Sequence, residues 1–187
     1  MNAHAELKIV FTGPMGAGKT TAIASISDTA LVSTDVSNSD LDAYAKESTT
    51  VAMDFGQLAL AGGTAVRLYG TPGQERFGFM WDILGRGAMG IVLLIDASSP
   101  TAIGDLERYA SAFQRISPGQ PLVVGVGRTE GPTDSAVSCF AAKLAAMGIS
   151  APVFSVDVRK PSDTQLLIQT VLAVLEARLP EISHGNA

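Results

Sequence analysis

Residues 13–20 read GPMGAGKT, which fits G-x-x-x-x-G-K-[ST], and they lie directly between a short β-rich run, LKIVFTG, and a helical pattern, AGKTTAIASIS. That is the context a phosphate-cradling loop requires. Gly13, Gly16 and Gly18 let backbone N–H groups approach phosphate oxygens, and Lys19 supplies a cation at the β- and γ-phosphates. Thr20 is expected to ligate magnesium, while the helix N-terminus adds a dipole favourable to anions. Met15, Ala17 and Thr21 belong to the same run and are expected to touch the nucleotide. An incidental Lys in a glycine-rich turn is the bland alternative, and the flanking strand and helix weigh against it.

Such a loop needs a rigid frame behind it. In the helical pattern Ala22, Ile23 and Ile26 share one face. Residues 28–50 are rich in Asp, Ser and Thr without a lasting period, which predicts a long surface loop, and long loops in compact domains are usually functional. VAMDFGQLALA (51–61) and TAVRLYG (64–70) flank Gly62 and Gly63 and predict a hairpin. GIVLLIDAS (90–98) and PLVVGVG (121–127) are almost continuous apolar runs, the pattern of strands covered on both faces. Helical patterns recur near 100–115, 133–147 and 162–178. The last carries Leu167, Val171, Val174, Leu175 and Arg178 at helical spacing and is expected to close an edge of the sheet. This alternation predicts a doubly wound α/β fold with a mostly parallel sheet, one antiparallel strand and helices on both faces. Ligands of such sheets bind at the carboxyl ends of the strands, where the loops after residues 12, 70, 96, 127 and 156 should gather.

Composition narrows the function classes. The 187 residues suit one domain, and 47% hydrophobic against 17% charged residues is the balance of a buried-sheet protein rather than a disordered one. A net charge of -5 with no cluster of Lys or Arg argues against a nucleic-acid partner. The single Cys139, in SAVSCFAAKL, excludes an intramolecular disulfide and reads as a buried helix thiol in a reducing compartment. MNAHAELK lacks an apolar signal core, and no apolar run approaches a membrane span, so a soluble, cytoplasmic chain is expected. Asn2 excludes myristoylation and ISHGNA carries no prenylation Cys, so any membrane association is expected to come through a partner.

Two further stretches carry a family resemblance. STTVAMDFG (48–56) and GTPGQERFGFMWDILGRGAMGIVLLIDAS (70–98), placed in this order after the phosphate loop, resemble the two switches of Ras-like small GTPases. The chain is similar in particular to a bacterial branch encoded alongside Roadblock-type proteins and related to the polarity GTPase of gliding motility. The resemblance covers nearly the whole chain and implies a three-layer P-loop fold with a Ras-like six-stranded sheet. It implies GTP and GDP as ligands with Mg2+, slow intrinsic hydrolysis, nucleotide-dependent switch loops at 33–50 and 71–82, and a Roadblock-like dimer as regulatory partner. Thr50 is then the residue that reaches magnesium when γ-phosphate is present, with Thr49 as the alternative register. Gly73 N–H meets the γ-phosphate and Gln74 orients the attacking water, with no covalent chemistry asked of the protein. An ordinary turn for Gln74 and a β-forming role for Thr50 are the bland alternatives. No Arg directly precedes Thr49 or Thr50, so an internal arginine finger is not evident.

The chain also departs from that family. Gly70 stands where the family has an Asp that touches magnesium through a water, an outer-shell contact that Thr20, Thr50 and the phosphates can cover. Asp54 is a substitute for it, or else a polar strand residue facing solvent. The guanine-reading Asn-Lys-x-Asp is replaced by Gly127, Arg128, Thr129 and Glu130. Glu130 still offers a carboxylate to the base and Arg128 a stem or guanidinium to lay over it, whereas Gly127 has no side-chain amide. SVDVRKPSD (155–163) resembles the branch's loop after the sixth strand, whose backbone near Ser155 to Val158, with Asp157 and Val158 as candidate contacts, is expected to approach the base; Asp157 and Arg159 are equally readable as a surface pair. Asp96, ending IVLLID, fits the Asp of an ATPase or kinase strand, and Ras-like proteins carry a structural Asp at the same place. Phe77, Phe79, Met80, Trp81 and Leu84 are expected to be mostly core, with any exposed member available to partners. Two readings therefore stand beside the switch: a nucleotide-binding interaction module with little hydrolysis, favoured by Gly70 and Gly127, and an ATP-dependent ATPase or kinase, favoured by Asp96 and the altered base loop.

Overall fold

The structure, a computed structural model, describes residues 7–33, 53–60, 63–130 and 135–178. Chain order is β1 (Leu7–Thr12), α1 (Lys19–Ile26), β2 (Val32–Ser33), β3 (Asp54–Ala59), β4 (Ala65–Gly70), a 3-10 turn (Glu75–Phe77), α2 (Gly78–Gly85), β5 (Gly90–Asp96), α3 (Ala102–Ile116), β6 (Leu122–Gly127), α4 (Ser135–Ala146), β7 (Val153–Ser155) and α5 (Pro161–Glu176). The strands lie in the order β2-β3-β4-β1-β5-β6-β7. β4, β1, β5, β6 and β7 run parallel, and β3 is the one strand antiparallel to them, as expected. The two-residue β2 adds to the expected six strands, pairing with β3 inside the segment read from sequence as loop.

Alternation along the central strands explains the three layers. Ile9 and Phe11 of β1, with Val92 and Leu94 of β5, point to one face and meet Ala22, Ile23 and Ile26 of α1 and Leu167, Ile168 and Val171 of α5. Val10, Ile91, Leu93 and Ile95 point to the other and meet Trp81 of α2, Leu106, Tyr109 and Phe113 of α3, and Phe140 and Leu144 of α4. Because both faces are covered, the strands read as unbroken apolar runs.

Three expectations change. α5 packs against α1, β5 and β6 rather than closing an edge, since its buried stripe is Thr164, Leu167, Ile168 and Val171, and Arg178 is exposed, its guanidinium donating to Gly119 O. Cys139 is exposed: α4 turns Phe140 and Leu144, four residues apart, into the core, and Cys139 precedes that stripe on the solvent side. Of the five apolar residues after Gln74, Trp81 and Leu84 are buried, Phe79 is 53% exposed, and Phe77 and Met80 are intermediate. The cause is α2 itself, a helix unrecognised in the sequence, which can turn only one stripe inward. The hairpin is present, with β3 and β4 paired from Asp54↔Gly70 to Ala59↔Ala65. Residues 61–62 of its turn, and Thr49 and Thr50, lie outside the described residues.

Candidate functional site

The loop between β1 and α1 is bent by backbone that only glycine adopts without strain. Gly13 has φ 137°, and a Cβ there would lie 2.1 Å from the Leu94 carbonyl oxygen of β5, so the loop can leave the sheet only as glycine. Gly18 (φ 93°) opens α1, whose N-terminus receives no side-chain cap, leaving its first N–H groups without intrahelical partners at the mouth of the loop. The Lys19 ammonium turns back over the loop and donates to Gly13 O at 2.8 Å and Pro14 O at 2.7 Å, and the side chain is buried.

Thr20, Asp54 and Gly70 meet at the next position. Thr20 Oγ1 donates to Asp54 Oδ2 at 2.6 Å, and Asp54 is 8% exposed. The strand register pairs Asp54 with Gly70, and a Cβ at Gly70 would stand 3.0 Å from both Cβ and Oδ2 of Asp54. Asp54 therefore does not face solvent: its carboxylate fills the space a residue-70 side chain would take. Among the described residues no group of three or more His, Cys, Asp or Glu is placed to hold a metal. A hydroxyl and one carboxylate beside a phosphate loop nevertheless suit Mg2+, which keeps several waters and takes one or two carboxylates with substrate phosphates.

The segment after β4 returns to the phosphate loop. Thr71 N–H donates to Phe11 O at 2.9 Å, and the buried Thr71 and Thr12 hydroxyls share a hydrogen bond of 3.0 Å. Trp81 Nε1 donates to Pro72 O, and Tyr109 OH donates to Gly73 O, each at 3.1 Å. Gly73 packs directly on the loop; a Cβ there would be 2.4 Å from Met15 N. Gln74 Nε2 lies 3.9 Å from the sulfur of Met15, which is 74% exposed. Sequence reasoning did not connect Tyr109 with this site. It lies in α3, and only the tertiary fold brings it to Gly73.

On the other side of the loop a cavity of about 670 Å³ opens between the carboxyl ends of β1, β5, β6 and β7, within the range of small-molecule sites. Gly16, Ala17, Gly18 and Thr21 line it together with Asp96, Gly127, Arg128, Glu130, Asp157 and Val158, so the phosphate-loop and base-loop residues are gathered in one place. Asp96 is fully engaged: Ser98 donates to Oδ1 through N–H at 2.9 Å and through its hydroxyl at 2.6 Å, while Arg128 pairs with Oδ2. Arg128 adopts φ 55°, a left-handed conformation that a non-glycine residue holds only when its surroundings compensate, and the Asp96 ion pair is one such constraint. The hydroxyls of Thr129 and Ser155 are hydrogen-bonded, which ties the β6 loop to β7. Asp157 and Arg159 form the surface pair, with Nε and Nη2 each 2.8 Å from the carboxylate. Those hydrogen bonds hold the Asp157 carboxyl down at about 2 and push Arg159 above its ordinary value. Glu130 is exposed at the rim.

No helix among the described residues is long and apolar enough to cross a membrane. Over 180 residues, 96% of this chain and 84% of the relative, the sequence is 23% identical to the Ras-related protein RABD2a of Arabidopsis thaliana. That likeness is distant, and it is to a Ras-related protein. A family model covers the chain from residue 29 to residue 143, reaching from just after α1 through the loop that follows β6 into α4. Since those residues are more than half of the chain, the protein belongs to the P-loop family described as conserved hypothetical ATP binding protein.

Proposed function

We propose that the chain is a GTP-binding molecular switch, a single G domain in the cytoplasm that hydrolyses GTP slowly and Mg2+-dependently and signals through its switch loops to a partner. The observation that carries this reading is the seat of Gly73 against Pro14 and Met15, with Gln74 beside Met15. It brings the backbone of one loop, and a side-chain amide able to orient water, to the mouth of another loop built for phosphate. In this reading Gly13, Met15, Gly16, Ala17, Gly18, Lys19, Thr20 and Thr21 hold the phosphates. Thr20, Thr50 and Asp54 hold Mg2+, whose charge offsets that of the phosphates. Arg128, Glu130, Asp157 and Val158 surround the base. The partner is a Roadblock-type regulator, on the resemblance of the 48–56 and 70–98 segments to the bacterial branch that such proteins accompany.

A second reading has its own support. The family is described as ATP-binding, and Gly127 offers no side-chain amide to a base or to the neighbouring loops. An ATP-dependent P-loop protein is then the alternative. The engagement of Asp96 by Ser98 and Arg128 favours a structural over a metal-binding role for that carboxylate. The deciding experiment measures GDP, GTP and ADP affinities of nucleotide-stripped protein with and without Mg2+. Tighter binding of guanine nucleotides with Mg2+ supports the switch, and preference for ADP replaces it with the ATP reading. Tight GTP binding with turnover unaffected by Gln74→Leu, with a Roadblock-type partner present, leaves an interaction module.

A further inference from the structure

Two aromatic donors in the core grip consecutive carbonyls of the segment that faces the phosphate loop. Trp81 and Tyr109 are 7% and 0% exposed, with ring centroids 4.5 Å apart, and Phe113 stacks behind Trp81 at 6.3 Å. The indole N–H takes Pro72 O and the phenol takes Gly73 O, each at 3.1 Å. Burial raises the Tyr109 hydroxyl to about 12, so at neutral pH it is protonated and donates.

The consequence follows from peptide geometry. No cis bond occurs among the described residues, and in a trans peptide the C=O and the following N–H point in opposite directions. Holding Pro72 O and Gly73 O against the core therefore turns the N–H groups of both Gly73 and Gln74 away from the core, on the segment seated against Pro14 and Met15. We propose that Trp81 and Tyr109 are positioning residues that aim two consecutive backbone N–H groups, those of Gly73 and Gln74, at the terminal phosphate of a bound nucleoside triphosphate. The inference rests on the switch reading above and deepens it. Donors fixed before the charge develops stabilise it without reorganisation, which is where such a pair gains its effect. Residues 71–73 become a fixed shelf tied to β1, to Trp81 of α2 and to Tyr109 of α3, and nucleotide-dependent movement is confined to residues between Gln74 and Trp81.

Tyr109→Phe keeps the ring and its packing and removes one donor. The readout is a split between nucleotides: affinity for GTPγS and single-turnover GTP hydrolysis fall about three- to tenfold, while GDP affinity stays within twofold. Adenine nucleotides are run in parallel, so a change of base preference does not obscure the result. Equal losses for di- and triphosphate, or no loss for either, overturn the proposal. If wild-type protein binds no nucleotide, the switch reading fails and the grip is tested without it. Trypsin cleavage after the exposed Arg76 should accelerate in Tyr109→Phe relative to cleavage after Arg159 in the same sample; an unchanged ratio overturns it. Should Tyr109→Phe not fold, Trp81→Phe, which removes the other donor, carries the same measurements.

Discussion

Asp54 of β3 lies directly across the strand pair from Gly70 of β4, and its carboxylate accepts the Thr20 hydroxyl from the space a residue-70 side chain would fill. An acidic group thus reaches the mouth of the phosphate loop from the antiparallel strand while the adjacent parallel strand carries none. Gly70→Asp places a second carboxylate against the first. Crowding and like charge should destabilise the fold by about 1–3 kcal/mol in urea unfolding. Removing the occupant in the same chain, Asp54→Ala with Gly70→Asp, should recover most of that loss. Strictly additive effects in the double-mutant cycle would show that the two positions do not share one space.

The same placement sets an expectation for metal. Thr20 and Asp54 are linked by one short hydrogen bond, so a cation held by the hydroxyl has the carboxylate immediately behind it to orient that ligand or its waters. Asp54→Asn keeps the shape and removes the charge. The gain in nucleotide affinity on adding Mg2+ should shrink by about ten- to a hundredfold, with affinity in EDTA little changed. An Mg2+ effect equal to wild type would dispose of the role.

Asp157 yields a pH prediction whose sign is fixed. Its carboxyl is drawn from an ordinary 3.8 down to about 2, first by the side-chain hydrogen bond from Arg159. A depressed folded-state value means that the contribution of the pair is present above 3.8 and fades as pH falls through about 2. Carbon NMR titration of the Asp157 carboxyl should give a midpoint near 2 in wild type, returning towards 3.8 in Arg159→Ala. Because Arg159 is exposed and Asp157 only half-buried, 0.15 M salt should narrow that difference. A wild-type midpoint at the ordinary value would mean that the pair is not held in solution.

Local pattern carried the fold where one period dominated. The runs at 90–95 and 122–126 are buried on both faces and so are apolar throughout; GPMGAGKT is legible because each glycine answers a backbone demand at its own position. Where two periods competed, the reading failed. Residues 77–84 are too uniformly apolar to show which stripe α2 buries, and Phe79 and Ile83 end on the outside. Cys139 was misplaced for a related reason: in SAVSCFAAKLAA small and apolar residues occupy both faces, and only Phe140 and Leu144 mark the inward one. The site residues written in loops beside the glycines were legible as a constellation. The Tyr109 contact with Gly73 was not, since 36 residues separate the partners and nothing in either neighbourhood signals the other. The Asp96–Arg128 pair is intermediate: both residues stood out as chemistry, and their union required the sheet register that sets Asp96 beside Gly127.

That union bears on how the base is read. Arg128 sits at φ 55° with its guanidinium on Asp96, and both line the cavity floor shared with Gly16 and Gly18. In the proposed reading Arg128, held by Asp96, lends its stem to one wall of the base site, and the two residues act as one unit. Asp96→Ala and Arg128→Ala should each lower nucleotide affinity by about three- to tenfold, and the double variant should be no weaker than the worse single, the signature of coupled partners. Gly127 offers the complementary gain. A Cβ there would meet nothing closer than 3.8 Å, the Ile95 and Val156 carbonyls, so Gly127→Asn fits without strain and supplies a side-chain amide within reach of both adjoining loops. Its thermal midpoint should stay within a few degrees of wild type, and its affinity for GDP should rise about fivefold, the effect of one well-made hydrogen bond. An increase of equal size for ADP would show that the amide braces the loops without distinguishing guanine from adenine. No increase for either nucleotide would place the base outside the reach of residue 127.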